Sequence, residues 1–437
     1  MSMENKKIIE TMESRRVLNA LKEIKQEQKI IYVFGAAGTG KTTLIDRVRD
    51  LSINSVVLAP TGIAALNVNG QTIHSFFKLD WSPTPRSKGS LNSALIKNLE
   101  LLIIDEISMV NASLMDAIDR TLKKNRKSNQ PFGGVSLMLV GDIFQLEPVV
   151  IGETKKFFND KYGSPFFFDS FSIRDISPEI YFLEHKFRQS NEGFFGKLLD
   201  KIRLGHELEE TFNIINKTCL DNFSESEAQM VLTGNNLQAD RKNQARLDAL
   251  PYPAKTYKAE LFGSFKYKQD KEDALPAPLS LELKKGAQVR MTKNSPGKWA
   301  NGSLGKVVSL AKDYITVDID SNIFDVEKAA WEIINYKYDS NTKKIIKEVK
   351  GKFQQFPMRL GWASTIHKSQ GLTLKSCSID LNQAFCHGQT YVALSRCMSL
   401  QGINLTHPMD LTDVMINPRI KEFHQEIIRS QKLRRVS

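Results

Sequence analysis

Short, wholly apolar runs recur along the first 185 residues: Ile30 to Phe34, Val56 to Ala59, Leu101 to Ile104, Leu137 to Val140 and Tyr181 to Leu183. Each ends in a polar or glycine-bearing turn, and a stretch with helical spacing usually follows. Strands that are apolar on both faces and separated by helices belong to a parallel sheet covered on both sides. Trp81 to Ser90, WSPTPRSKGS, breaks the rhythm with two prolines, a glycine and three serines, and predicts a loop or small inserted element within about 78–95. A strand-then-helix pattern resumes over 226–250. From 251 to 355 the turn signals Ser295-Pro296-Gly297 and Asn301-Gly302 separate short alternating runs such as Tyr314 to Ile319. Alternation predicts strands with one buried face, and such a set is expected to form a small antiparallel barrel inserted into an α/β domain. The α/β texture returns after 356. The expected fold class is therefore α/β, with one domain over 1–180, a second built from 181–250 and 356–437, and an inserted barrel over 251–355.

Composition narrows this picture. The 437 residues carry 61 Lys and Arg against 49 Asp and Glu, a net charge of +12. A basic excess suits a polyanionic partner and equally a merely soluble basic protein. Cys219, Cys377, Cys386 and Cys397 are scattered, as expected in a reducing compartment, and Cys386-His387 has no second metal-like pair, so zinc is not expected. The charged start MSMENKKIIETMESRR lacks the apolar centre of a signal peptide, and no apolar run reaches ~18 residues, so no membrane is expected. The expected location is cytoplasmic and nucleoid-associated, or nuclear in a eukaryote.

Two motifs carry the chemistry. Gly35-Ala36-Ala37-Gly38-Thr39-Gly40-Lys41-Thr42 is G-x-x-x-x-G-K-T placed directly after a strand run and before a helical pattern. Its glycines let backbone N–H groups close around phosphates, and the helix start adds its positive dipole end. Lys41 would meet the β and γ phosphates of ATP, and the Thr42 hydroxyl would ligate Mg2+; Gly35, Gly38, Thr39, Gly40 and Thr43 complete the cradle. The run Leu101 to Ile104 ends in Asp105-Glu106, two carboxylates at the strand edge where parallel sheets bind ligands. Alone that pair reads as entry into a loop. Beside a phosphate loop, Asp105 becomes the Mg2+ residue and Glu106 the group that orients and deprotonates water.

Gly141-Asp142-Ile143-Phe144-Gln145-Leu146-Glu147-Pro148 then resembles the third motif of superfamily 1 helicases, and Pro131-Phe132-Gly133-Gly134 upstream is similar to a segment of the petite-integration-frequency (PIF) group of 5′→3′ DNA helicases. The resemblance extends to about residue 405. It implies two RecA-like P-loop domains with small insertions, one an SH3-like β-barrel. It makes Gln145 the γ-phosphate sensor. Arg188 in Phe187-Arg188-Gln189 and Arg396 in Gly388 to Arg396 become arginine fingers, a role that suits a permanently charged, bidentate guanidinium.

By the same resemblance Ala59 to Ala65 and Thr72 to Phe77 line the single-strand channel, with Pro60, Thr61, Gly62, His74, Ser75 and Phe77 as DNA contacts. Phe76 and Phe77 also read as core, and at least one of them is expected there. Trp362 to Leu372 implies DNA contacts from Thr365, His367, Lys368 and Ser369, with Gln370 and Gly371 on the nucleotide side. In the inserted region Lys284, Lys285, Arg290 and Lys293 are candidates for phosphates, although for any one lysine a solvated face is the better reading. Related helicases carry a Gln upstream of the phosphate loop that reads adenine; here Gln26 and Gln28 lack its flanking pattern, which leaves the base contacts open. Trp81 reads equally as a strand-separating wedge or as core.

The expected activity is ATP-dependent 5′→3′ translocation on single-stranded DNA with unwinding of forked duplexes. The resemblance alone adds G-quadruplex unwinding and roles in repair and telomere maintenance. An RNA helicase and an ATP-switched nucleic-acid-binding protein are the alternatives. A monomer suffices, because both halves of the ATP site lie in one chain, and the chain reads as a bare helicase core.

Overall fold

A computed structural model describes residues 11–150, 152–187, 193–220, 229–263, 275–381 and 386–436. The chain divides into two compact units: 1–187 with 332–350 and 418–437, and 188–331 with 351–417.

The first unit is built on β1 (Ile30–Gly35), β2 (Ser55–Ala59), β3 (Gln71–Thr72), β4 (Leu101–Ile104), β5 (Ser136–Gly141) and β6 (Glu179–Leu183). They form a parallel sheet in the order β3-β2-β4-β5-β1-β6. β1, β4 and β5 are buried along their whole length, which is why their sequences are continuous apolar runs rather than alternating ones. The helix Met12–Lys22 covers one face. Thr11 caps it by accepting from the Ser14 N–H at 3.2 Å, and Val17, Ala20 and Leu21 enter a core with Ile31, Val33 and Leu44.

The second unit has a parallel sheet of β7 (Met230–Thr233) with β18 (Ala363–Thr365), β19 (Cys377–Asp380) and β20 (Ile403–Leu405), in the order β18-β7-β19-β20. Between β7 and β18 the texture is antiparallel, as expected. β8 (Lys255–Lys258) pairs with β10 (Ser280–Leu283), and β9 (Glu260–Gly263) pairs with the long β16 (Lys344–Gln355), itself beside β15 (Ala329–Asp339). β11 (Gln288–Met291), β12 (Leu304–Leu310), β13 (Tyr314–Ile319), β14 (Asn322–Glu327) and β17 (Met358–Leu360) make a sheet in the order β14-β13-β12-β11-β17. The expected antiparallel insertion is present as this sheet, which is open, with β14 and β17 at its edges and, among the described residues, no pairing between them to close a barrel. Ile315, Val317 and Ile319 of β13 are buried, as the alternation predicted.

Two segments sit elsewhere than the expected boundaries place them. The outer part of the β15–β16 hairpin, Glu332–Lys350, belongs to the first unit. There the buried Tyr336 hydroxyl accepts from Val57 N at 3.1 Å and donates to Val57 O at 3.2 Å, while Asn54 Oδ1 accepts from Ile345 N at 2.9 Å. The helix Pro418–Val436 also belongs to the first unit, not to the second domain expected over 356–437. Arg419 forks onto Asp169 at 2.8 and 3.1 Å, Phe423 stacks on Phe168 with ring centroids 3.8 Å apart, and Gln431 donates to Ile180 O. Both placements come from side-chain contacts made across more than 200 residues of sequence, which no local pattern encodes.

Among the described residues no helix is long and apolar enough to cross a membrane.

Candidate nucleotide site and nucleic-acid face

The phosphate loop leaves β1 at Gly35 and enters the helix Lys41–Arg49. Gly38 and Gly40 take φ of 80° and 84°, the left-handed region that glycine occupies without strain. A Cβ on Gly35 would collide with the Thr39 hydroxyl. No side chain caps the helix start, so its first N–H groups face outward with the dipole's positive end. Lys41 Nζ bridges Gly35 O at 2.8 Å and Ala36 O at 2.9 Å, which holds the ammonium over the loop. Thr39 Oγ1 donates to Ala36 O at 2.9 Å, so this side chain shapes the cradle from below; Thr42 is exposed at its rim.

Asp105 follows β4 and is buried. Loss of water, reinforced by the adjacent Glu106 carboxylate, pushes its pKa up to about 7; the Glu106 N–H, Lys41 and Arg49 pull the other way. Glu106 is half-buried and adopts φ 51°, a left-handed conformation that turns the chain sharply off the strand end. Gly141 closes β5 so near this turn that a Cβ there would lie 3.0 Å from Ile107 N. The loop after β5 is thereby pressed against the Asp105-Glu106 turn. Inside it, the fully buried Asp142 accepts from Phe144 N at 3.2 Å and from Gln145 Nε2 at 3.4 Å. Lys41, Asp105, Glu106 and Gln145 therefore leave the C-terminal ends of three neighbouring strands of one sheet, β1, β4 and β5.

The predicted single-strand face of the first unit divides into surface and core. Pro60, Thr61 and Gly62 are half-buried, and Thr61 caps the helix Gly62–Asn67 by accepting from Ala64 N. Ser75 is exposed. The His74 ring lies flat against Trp81, with centroids 3.8 Å apart and planes within 9°. Trp81 is 66% exposed, so it is not a core plug. Phe77 is fully buried and Phe76 nearly so, edge to face with each other. The expected DNA contact from Phe77 is corrected: its ring is fully buried in the core, against Phe76.

In the second unit Arg396 is almost wholly buried. Its guanidinium donates to Val392 O at 2.8 Å, to the Ser395 hydroxyl at 2.7 Å and to Ser369 O at 3.4 Å. Ser369 is fully buried with Oγ donating to Ile366 O, which commits this side chain to the loop rather than to a DNA strand. Thr365 is buried and accepts from Lys368 N at 3.2 Å. His367, Lys368 and Gln370 are half-buried, Gly371 is exposed, and burial holds the His367 pKa below its ordinary value. Arg188 lies outside the described residues.

The two glutamines upstream of the phosphate loop differ in their surroundings. Gln28 Nε2 donates to Pro131 O and Val135 O, and Gln26 is exposed. That bond ties Gln28 to the Pro131–Gly134 turn, where Phe132 is fully buried and Gly133 and Gly134 have positive φ. A narrow cleft with room for about one water flanks the phosphate loop, with Thr11, Ser14, Arg47, Leu183 and Phe187 in its lining. Phe187 N bonds Gly38 O at 2.9 Å, which fixes this wall to the loop itself. Thr11, Ser14 and Arg47 carry no motif of their own, and their meeting with Phe187, the first residue of the Phe187-Arg188-Gln189 segment, becomes visible only when the four segments come together.

A phosphate loop and a carboxylate pair at the edge of a RecA-like parallel sheet define a P-loop NTPase. Comparison with known proteins narrows the class. The family model for PIF1-like helicases matches residues 9–210. The ATP-dependent DNA helicase Pif1 of Bdellovibrio bacteriovorus is 30% identical over 91% of this chain and 88% of its own length. The ATP-dependent DNA helicase PIF1 of Emericella nidulans is 30% identical over 95% of this chain. This chain spans only 63% of that fungal relative's length. Bacteroides Pif1 in complex with ADP-AlF4 superposes with a TM-score of 0.87 at 32% identity, covering 96% of this chain and 97% of that one. Bacteroides Pif1 bound to single-stranded DNA superposes with 0.68 at the same identity, over 96% and 97%. The chain belongs to the PIF1-like helicase family.

Proposed function

We propose that this chain is an ATP-driven DNA helicase that moves 5′→3′ along single strands and separates forked duplexes. One observation carries the reading: Lys41, Asp105, Glu106 and Gln145 are held at the same edge of one sheet, with a phosphate cradle between them. The names of the relatives and the single-stranded DNA bound to Bacteroides Pif1 support DNA as the track.

The chemistry follows from the residues. The loop N–H groups and the uncapped helix start take the phosphates, and Lys41 exchanges its two carbonyl partners for phosphate oxygens. Thr42 and Asp105 would hold Mg2+; a buried carboxylate that burial and Glu106 drive toward protonation is a poor resident anion without a cation, which fits that role. When bound, the ion neutralises charge on the β and γ phosphates. Glu106 lies beside this group and orients the attacking water, accepting its proton. Gln145 senses the γ phosphate and passes the change through Asp142 to the rest of its loop. Arg188 and Arg396 serve as arginine fingers; Arg396 holds Ser369 O, so its displacement would be felt in the Thr365–Lys368 segment that grips the strand. G-quadruplex unwinding and function as a monomer extend the same proposal.

Glu106→Gln tests the chemical core. It should keep nucleotide binding within about twofold and lower single-strand-stimulated hydrolysis by about 10³-fold or more, because the amide keeps the shape and cannot take a proton. Near wild-type turnover would remove the water-activation role. Stimulation by RNA rather than DNA of equal length would favour the RNA alternative.

A further inference from the structure

β11 sends alternate side chains to opposite faces. Val289 and Met291 enter the apolar core of the antiparallel sheet, so Gln288, Arg290 and, one residue past the strand end, Thr292 share the other face. On that face three polar atoms are sealed from solvent with no hydrogen-bond partner among the described residues: Gln288 Oε1, Arg290 Nε and Thr292 Oγ1. Buried polar atoms are nearly always partnered, so three on one strand face mark a place where a partner belongs.

Arg290 is the centre of the row. It is 7% exposed, and its register partner on β17 is Arg359. Among the described residues no carboxylate acts on it. Burial and the neighbouring guanidinium both work against its charge and bring its pKa down to about 10. A cation taken out of water without a counter-ion is unfavourable unless something supplies the opposite charge. The row also has a definite address within its unit. Gly302 N bonds Met291 O and Met291 N bonds Ser303 O, both at 2.8 Å, and a Cβ on Gly302 would lie 3.1 Å from Thr373 O. The end of β11 is thus joined, through this turn, to the segment that continues from Thr365, His367 and Lys368.

We propose that the Arg290–Thr292 face of β11 is an oxyanion site that takes one phosphodiester of the single strand leaving the Thr365–Lys368 segment. Arg290 supplies the charge and Thr292 a hydroxyl donor, an arrangement that addresses backbone and not base identity. The inference rests on the DNA-binding reading above.

The test uses the full chain, Arg290→Met and Thr292→Val, a labelled oligothymidylate titrated across a salt series, and melting curves with and without inorganic phosphate. Arg290→Met should weaken binding about tenfold at low salt and lower the slope of log K against log salt by about one. Its ligand-free melting temperature should hold or rise, since an uncompensated buried charge has been removed. Thr292→Val should weaken binding less and leave the salt slope alone. If Arg290→Met folds poorly, Thr292→Val still tests the site, and unchanged affinity there counts against it. An unchanged slope and affinity in Arg290→Met overturns the inference, while tight binding by the wild type leaves the DNA reading standing. Wild-type failure to bind the oligonucleotide overturns both. Phosphate-induced stabilisation that Arg290→Met abolishes, with DNA binding intact, identifies a free-anion site and overturns the assignment to the strand.

Discussion

Asp105→Asn should make the nucleotide-free protein more stable at pH 8 and leave it unchanged near pH 4. The Asp105 pKa stands near 7 in the fold, against 3.8 for the free group. Between about pH 4 and pH 7 the folded chain retains a proton that the unfolded chain has released, so stability falls as pH rises through that window and the loss is constant above it. A gap of about three pH units is worth ~4 kcal/mol at most. Glu106 shares the interaction and Lys41 can lean toward the carboxylate, so ~2 kcal/mol is the working figure. For a unit of this size that is roughly 4–8 °C in melting temperature. Asparagine has the shape of the protonated acid and cannot ionise, so it removes the loss without opening a cavity. The assay is a melting curve for both proteins from pH 4.5 to 8.5 without nucleotide or divalent cation. ATP with Mg2+ should then raise the wild-type melting temperature more than that of the variant. A difference that does not vary with pH, or a variant less stable than wild type at pH 8, would refute the argument.

Trp81 stacks on His74 in the open, so Trp81→Ala should change stability by under ~0.5 kcal/mol, the usual range for an exposed site. It should slow forked-duplex unwinding several-fold more than single-strand-stimulated ATPase; equal loss of both would remove the wedge reading. Phe423→Ala should destabilise the fold by ~2 kcal/mol, because the ring is half-buried and stacked on Phe168, and urea denaturation with an unchanged midpoint would show that the helix Pro418–Val436 does not hold the first unit together.

What the sequence disclosed and what it hid differ by range of interaction. β1, β2, β4 and β5 were legible because strands buried on both faces must be apolar throughout, and β6, half-buried at the sheet edge, showed itself only by Tyr181 to Leu183. The phosphate loop and Asp105-Glu106 were legible because backbone geometry and charge dictate their residues within a few positions. β3 has two residues and leaves no periodic trace, although it delivers His74 and Ser75. Phe77 could not be assigned, since an aromatic ring serves stacking and core equally well. The placements of Tyr336, Arg419 and Phe423 in the first unit, the cleft walled by Ser14 and Phe187, and the unpartnered face of Arg290 depend on contacts between distant segments. Their residue types are unremarkable when read along the chain.

The central claim, directional strand separation driven by ATP, is tested most directly with two duplexes that differ only in which strand bears a single-stranded tail. Strand release is followed after adding ATP with excess protein, with Glu106→Gln as the inactive control. The account predicts rapid release from the 5′-tailed duplex, little from the 3′-tailed one, and none with Glu106→Gln. Faster release from the 3′-tailed duplex would contradict the assigned polarity, and ATP hydrolysis with no release from either would contradict the helicase reading itself.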